Sequence, residues 1–288
     1  LGYDALATHL FIPTQLHDQQ KWAFDVSTYV WAVAPMLADC IFSVGYMLAG
    51  ETGARLLNVG FIFLLAKLTY DLTRWAGGTQ KAAYLAALFL LTTPLTFKEG
   101  SSLYVEAVWA CFVVGGVLAL FRLTISAYKG KVNLLIGGIL LGCALAVKAI
   151  TILLLPLLAV LLLVRWRSWI KQESYGAIWV SIITFTIIGA MPYMDAWRLT
   201  GNPVFPFFNA VFKSTLYPLE NFNNPIWEIG VTWDILYAIT FQSGNYLEAM
   251  PGAPGFQWII FLVPGTFILL VEKKRKALLL VLLASLFV

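Results

Sequence analysis

Charged residues are scarce in this sequence, and their scarcity excludes an ordinary water-soluble domain. Asp, Glu, Lys and Arg make up 12% of its 288 residues, against about 25% in soluble proteins. Hydrophobic residues make up 60%. Apolar runs close to the ~20 residues of a membrane span recur from residue 53 onward. Because these runs lack the alternation of barrel strands, the predicted fold class is all-α, a polytopic transmembrane helix bundle.

Cysteine is also sparse, in a way that excludes a disulfide framework. Cys40, Cys111 and Cys143 are odd in number and lie in apolar stretches, where cysteine behaves as a small hydrophobe. They indicate no metal site. The sequence also lacks an Asn-x-Ser/Thr glycosylation motif, an internal repeat and a low-complexity tract.

The distribution of basic residues predicts which loops are cytoplasmic. The expected spans are at about 53–70, 79–97, 102–121, 133–148, 151–165, 175–193, 256–271 and from 277. Lysines and arginines cluster in alternate loops between them: Arg74 and Lys81; Arg122, Lys129 and Lys131; Arg165, Arg167 and Lys171; Lys273, Lys274, Arg275 and Lys276. By the positive-inside rule these loops are cytoplasmic, and the remaining loops are external.

This sidedness divides the chain into four regions. Residues 1–52 are predicted as a first external loop, 53–193 as a transmembrane helix bundle, 194–255 as a long external loop and 256–288 as truncated C-terminal spans. Because Leu1 is not a start residue, we expect a piece of a longer protein whose first helix precedes the loop.

The first loop contains a stretch, 29–50, that could be taken for another span. If it crossed the membrane while the N-terminal loop stayed outside, every basic loop would face outward. Its polar residues recur three to four apart, at Pro35, Asp39, Ser43, Tyr46 and Gly50. The stretch is therefore predicted as an amphipathic helix lying at the membrane interface.

The acidic residues lie almost entirely in the loops predicted to be external. Ion carriers place carboxylates inside their spans, so this pattern favours a site at the outer membrane surface. Asp4 is the first of these acids, and His9 follows five residues later. A solvated acid at a helix start and a satisfied interfacial histidine stay open as alternatives.

Further candidates stand where apolar runs begin or end. Glu106 lies at the start of an apolar run, where a carboxylate is costly unless it is paired or hydrated, so it is a candidate functional residue. The alternative is that Glu106 is an interface anchor paired with Lys98. Lys148 marks the outer end of a helical hairpin, where its ammonium could hold a phosphate or serve as a plain anchor. Arg198, before a Gly-Asn-Pro turn, is a second candidate phosphate contact.

These pieces together resemble the polytopic GT-C glycosyltransferases, in particular the bacterial branch that is protein-mannosyltransferase-like and aminoarabinose-transferase-like. The resemblance is carried by short motifs in a fixed order: "YDALATHLFIP", "APMLADCIF", "SSLYVEAVWA", "ALAVKAI" and "TGNPVFPFFNAVF". It covers the chain from Gly2 to about Phe261. Two departures are Glu106, where many relatives have Asp, and "ATH", where an aromatic residue before the histidine is commoner.

The resemblance implies transfer of a sugar from a polyprenyl-phosphate or polyprenyl-diphosphate donor to a lipid, glycan or protein acceptor. Asp4 is then expected to be the general base, and Glu106 the residue that positions the acceptor. A divalent cation is left open as a cofactor, held by Asp4 and Glu106 if one is used. The remaining expected substrate-binding residues are His9, Lys98, Lys148, Arg198 and Asn202.

The expected location is a bacterial inner membrane, with the site on its periplasmic face and membrane lipids around it. No nucleic-acid partner is expected. A polyprenyl-lipid transporter or flippase is the alternative function. Its marks would be charges inside spans, broken helices and inverted repeats, and the sequence indicates none of them. A non-catalytic membrane scaffold is a second alternative, and it leaves the sidedness of the acids unexplained.

Overall fold

The computed structural model describes residues 4–22, 24–123, 130–156, 158–159, 175–223, 230, 232–246 and 249–284. These residues contain helices and no strand, which confirms the all-α prediction. The α-helices are α1 (Phe11–Gln19), α2 (Leu37–Trp75), α3 (Gln80–Thr92), α4 (Pro94–Ser101), α5 (Glu106–Arg122), α6 (Gly130–Val147), α7 (Tyr175–Thr200), α8 (Asn209–Phe212), α9 (Ile235–Phe241), α10 (Gln257–Val271) and α11 (Arg275–Ala284). Shorter turns are a π-helix at Ala5–Leu10 and 3₁₀-helices at Val30–Val33, Ala149–Leu153 and Ser243–Asn245.

Three of the described helices are long and apolar enough to cross a bilayer: α2, α6 and α7. A fourth crossing exists if α4 and α5 are counted together, although their axes are bent by 113°. The protein is therefore an integral membrane protein with a polytopic helical fold. The predicted span at 151–165 runs into residues 160–174, which lie outside the described residues.

α2 is two helical segments that fold back on each other. The backbone leaves helical geometry at Ala49 and Gly50, and Gly50 has a φ of +61°, a conformation that glycine adopts without a steric penalty. A Cβ built on Gly53 would lie 2.2 Å from the carbonyl oxygen of Gly45. In a straight helix residues eight apart are about 12 Å apart, so the chain reverses at this break.

The first segment of α2 carries the polar stripe predicted for an interfacial helix. Its polar side faces the protein: Asp39 and Ser43 are 3% and 2% exposed. Its apolar side faces outward, with Val44 and Leu48 57% and 82% exposed. A helix surrounded by lipid reverses the soluble pattern in this way, because a polar group that faces hydrocarbon has no partner.

The predicted span 79–97 is broken at Pro94. α3 has 13 residues, and Thr93 after it is extended, with φ −67° and ψ 128°. Extended geometry is what a following proline imposes on its neighbour, and Pro94 then begins α4 at the first helical position, where proline is favoured. The segment 94–101 is therefore a separate helix, and a bend of 113° separates it from α5.

Glycines set the close approach of α6 to α7. Cβ atoms built on Gly138 and Gly142 would lie 2.5 Å from the Ser181 carbonyl oxygen and 2.9 Å from the Phe185 carbonyl oxygen. The two glycines are four residues apart, so they share one side of α6. This small-xxx-small spacing lets helix backbones meet inside a membrane. α5 packs on another side of α6, so the three helices form one layer.

The glycine contact leads to a stability prediction. Gly142→Ala is expected to destabilise the protein by about 1–3 kcal/mol, because the added methyl group meets the α7 backbone. The measurement is equilibrium unfolding in mixed micelles. Gly60→Ala is the matched control, since nothing lies within 4 Å of its Cβ and alanine is the better helix former. Equal stabilities for the two variants would contradict the close approach.

Candidate functional site

An ion pair between Glu106 and Lys148 lies at the centre of the candidate site. Glu106 is the first residue of α5, and Lys148 follows the last residue of α6 with an extended backbone. The Lys148 ammonium donates to Oε1 of Glu106, and both side chains are half-buried. The alternative partner, Lys98, instead lies over the Tyr104 ring, with its Nζ 5.1 Å from the ring centroid. The interpretation that Glu106 pairs with Lys98 was therefore wrong.

Thr151 holds the turn that presents Lys148. Its hydroxyl is fully buried and donates to the carbonyl oxygens of Ala144 and Lys148, at 3.0 and 2.8 Å. The same oxygen accepts the indole hydrogen of Trp109 from α5, at 2.8 Å. α6 thus ends in a turn that is fastened to α5 one helical turn below Glu106.

His9 joins this site through Asp39. Its Nδ1 lies 2.7 Å from Oδ1 of Asp39, and the two side chains are 14% and 4% exposed. His9 also interacts electrostatically with Glu106 and Lys148. Burial lowers the pKa of His9, but the Asp39 carboxylate and then Glu106 outweigh burial and raise that pKa above its usual 6.5.

Glu99 brings a second carboxylate to the same place. It interacts electrostatically with Glu106, Lys148 and Lys98. Oε2 of Glu99 and Oε2 of Glu106 are both buried without a hydrogen-bond partner. The Asn58 amide below them donates to the carbonyl oxygens of Glu99 and Ser102, at 2.7 Å each. Unpaired buried acceptors are costly, so the site is suited to a ligand that carries hydrogen-bond donors.

Asp4 stands at the edge of this arrangement. It is exposed and precedes the π-helix that carries His9. π-helical hydrogen bonds join residues five apart, so Asp4 and His9 are about one turn apart on neighbouring sides of that helix. The proposed role of Asp4 stays a prediction.

Among the residues that the structure describes, no three His, Cys, Asp or Glu side chains are grouped so as to hold a metal ion.

Arg198 and Asn202 differ in what they could contact. Arg198 is exposed on the last turn of α7. Asn202 is fully buried, and its amide donates to the Phe207 carbonyl oxygen at 2.9 Å and accepts from the Val204 amide at 3.0 Å. Its hydrogen bonds are used to hold the Gly-Asn-Pro turn. Asn202 therefore supports that turn, and its expected contact with substrate stays a prediction.

A mostly apolar groove shares two elements with the polar cluster, the first segment of α2 and the end of α6. Its volume is about 570 Å³, within the ~300–1,000 Å³ usual for ligand sites. It lies between the first segment of α2, the end of α6 and α7. Its lining includes Leu37, Cys40, Ala146, Ile187, Met191 and Leu199, and Asp195 contributes one carboxylate to it. Cys40 follows Asp39 in the sequence, and Ala146 is two residues before Lys148, so the same two helices carry residues of the groove and of the charged cluster.

Sequence reasoning missed Asp39, Glu99 and Asn58 as members of the site. Asp39 was placed only on the polar stripe of 29–50, and that stripe was the signal that it faces a polar partner inside the protein. Glu99 lies seven residues before Glu106, across the bend between α4 and α5. No periodicity joins two residues across such a bend. Asn58 carried no signal at all.

The chain matches a model of one known protein family. The family model for dolichyl-phosphate-mannose-protein mannosyltransferases matches residues 41–199, more than half of the chain. The chain belongs to this family, whose members are membrane glycosyltransferases that use a lipid-linked sugar donor. The GT-C resemblance of the sequence motifs is thereby confirmed. No curated protein and no solved structure matches the chain significantly.

The Thr151 contacts predict a stability effect. Thr151→Val should destabilise the protein by about 1–3 kcal/mol, since the fully buried Thr151 hydroxyl and its hydrogen bonds to Ala144, Lys148 and Trp109 are lost. Thr151→Ser should recover most of that loss. The control is Thr184→Val, because the Thr184 hydroxyl is exposed and bonds only to Val180 on its own helix. The measurement is unfolding followed by near-UV circular dichroism. Equal stabilities of the two valine variants would contradict the assignment.

Proposed function

We propose that the protein transfers a sugar from a polyprenyl-phosphate-linked donor to an acceptor at the external membrane face. The observation that carries this proposal is a charged cluster centred on the Glu106–Lys148 ion pair together with a mostly apolar groove, since the first segment of α2 and the end of α6 contribute residues to both. A polyprenyl-phosphate sugar has the same division, with an apolar tail followed by an anionic phosphate and a polar sugar. The groove would take the tail, and the polar cluster would take the phosphate and the sugar.

The cations of the cluster suit the leaving group. When the bond between the anomeric carbon and the phosphate oxygen breaks, the phosphate takes the electron pair and needs positive charge rather than a proton. Lys148 is a compact cation just after α6, the helix that contributes Ala146 to the groove, and His9 lies within its electrostatic reach. Arg198, next to the groove residue Leu199, is the second phosphate contact in this proposal.

The acids of the cluster suit the acceptor. As the bond from the acceptor oxygen or nitrogen to the anomeric carbon forms, its proton passes to a carboxylate, and Asp4 is the proposed base. Positive charge develops on the sugar during this step, and nearby carboxylates stabilise it. Glu106 would orient the acceptor or the sugar through Oε2, which has no partner within the described residues.

The proposed external position follows from the ends of the helices. Arg122 ends α5 and bonds to Asp71 at 3.3 Å, while the Trp75 and Phe121 rings stack with centroids 4.3 Å apart. Lys276 lies over Trp75 at 5.0 Å. α5 has 17 residues, so this basic end lies about 25 Å from Glu106. The positive-inside rule assigns the basic end to the cytoplasm and Glu106 to the opposite face.

The first experiment is a transfer assay that separates the alternative functions. The protein in nanodiscs is given radiolabelled polyprenyl-phosphate sugars, and release of polyprenyl phosphate is measured. Release would support the glycosyltransferase, whereas movement of intact lipid between leaflets without release would support the flippase. A scaffold would show neither result.

The proposed base predicts the effect of Asp4→Asn. Turnover should fall by about 10²-fold or more, because the amide cannot accept the acceptor's proton. The measurement is kcat at saturating donor. Asp18→Asn is the control, since Asp18 is an exposed acid of the same N-terminal segment whose carboxylate contacts only His17 in the described structure. Near-normal turnover of Asp4→Asn would remove Asp4 from this role.

The proposed phosphate contact predicts the effect of Lys148→Ala. Donor affinity should fall about tenfold or more, since a charge-assisted hydrogen bond to phosphate is worth ~1.5–3 kcal/mol. Binding of polyprenyl phosphate to the protein in nanodiscs is the measurement. Lys67→Ala is the matched control, because Lys67 pairs with Asp71 at 2.6 Å on the basic side of the bundle. Unchanged affinity for Lys148→Ala would leave Lys148 as an anchor only.

A further inference from the structure

Asp39 is the one charged partner that hydrogen-bonds to His9 among the described residues. The two residues are 30 apart in sequence and come together only through the packing of the N-terminal π-helix on α2. Asp39 lies in the first turn of α2, where the helix dipole favours a carboxylate. A 96%-buried carboxylate and an 86%-buried imidazole at 2.7 Å form a fixed pair.

The hydrogen bond determines which nitrogen of His9 is left over. A carboxylate only accepts, so Nδ1 carries the hydrogen that it donates to Asp39. Nε2 has no hydrogen-bond partner among the described residues. The charged groups around the ring are Asp39, Glu106 and Lys148, with Asp4 one turn earlier on the same helix. This surplus of carboxylates favours a protonated ring whose Nε2 is also a donor.

We propose that Asp39 is a positioning residue that orients His9 and keeps it cationic, so that Nε2–H donates to the phosphate of the lipid-linked donor. Asp39 touches no substrate in this arrangement and acts only through the imidazole. The inference rests on the proposed function for the identity of the phosphate. A carboxylate that accepts a hydrogen bond from the Nδ1–H of a histidine determines which ring nitrogen carries the proton, and it also raises the basicity of the ring.

The first test is a histidine titration that requires no turnover. The chain has two histidines, His9 and His17, so ¹³C-histidine labelling of the protein in nanodiscs, with a His17→Gln variant for assignment, identifies the His9 signal. In the wild type His9 should titrate above 6.5. In Asp39→Asn it should titrate below the wild-type value, because burial then acts without the opposing carboxylate. An identical titration in both proteins would overturn the proposal.

The second test measures binding of polyprenyl phosphate as a function of pH. The His9 ring is cationic below its pKa and neutral above it. Affinity for the phosphate should therefore be constant at low pH and fall as pH rises through the His9 pKa. Asp39→Asn should move that fall to lower pH, a change that a purely structural role would not produce. A pH profile of Asp39→Asn that is lower throughout but not displaced would overturn the proposal.

A double-mutant comparison separates Asp39 from a general effect of losing a buried acid. Asp39→Asn and His9→Gln should each reduce affinity by about tenfold, and the double variant should be no worse than His9→Gln alone. Additive losses would mean that Asp39 does not act through His9. Asp71→Asn is the matched control, since Asp71 is a paired acid in the other segment of α2.

These measurements also distinguish failure of this inference from failure of the proposed function. If the wild type binds polyprenyl phosphate but transfers no sugar, the glycosyltransferase proposal fails while the Asp39–His9 prediction is still decided by titration and binding. If the wild type transfers sugar and its His9 titration is independent of Asp39, only the present inference fails.

Discussion

The Glu106–Lys148 ion pair is the contact around which the candidate site is built. It joins the first residue of α5 to the residue after α6, and these two helices pack along their length. A pair at this depth is stable only where both helices end together, since an unpaired charge next to lipid is costly. Glycine contacts between α6 and α7 and the Thr151 turn keep those helix ends in place.

The other charged residues of the site are arranged by chain reversals rather than by regular helices. The break at Gly50 folds α2 so that Asp39, from its first segment, and Asn58, from its second, lie at one end of the bundle. The break at Pro94 starts α4, and the 113° bend between α4 and α5 then brings Glu99 close to Glu106. Both breaks come from residues with special backbone preferences, glycine with a positive φ and proline without an amide hydrogen.

The combination of groove and charged cluster explains why a lipid-linked substrate fits this fold. In hydrocarbon the helices need no polar surface outside, so their polar side chains gather inward, as Asp39 and Ser43 do. The groove takes Cys40 and Ala146 from the same two helices, α2 and α6, that carry Asp39 and lead to Lys148. An amphiphile with a phosphate between a tail and a sugar meets both environments at once.

The sequence by itself determined the all-α membrane fold and the GT-C family, and it identified His9, Glu106 and Lys148 as candidate site residues. Low charge, apolar run lengths and single charges at helix ends are local properties, and the solvent imposes them directly on the sequence. Only the tertiary structure decided that Lys148 rather than Lys98 pairs with Glu106, and that Asp39 pairs with His9 across 30 residues. Those partners depend on how two helices reverse and cross, and neither reversal leaves a periodic signal in the chain.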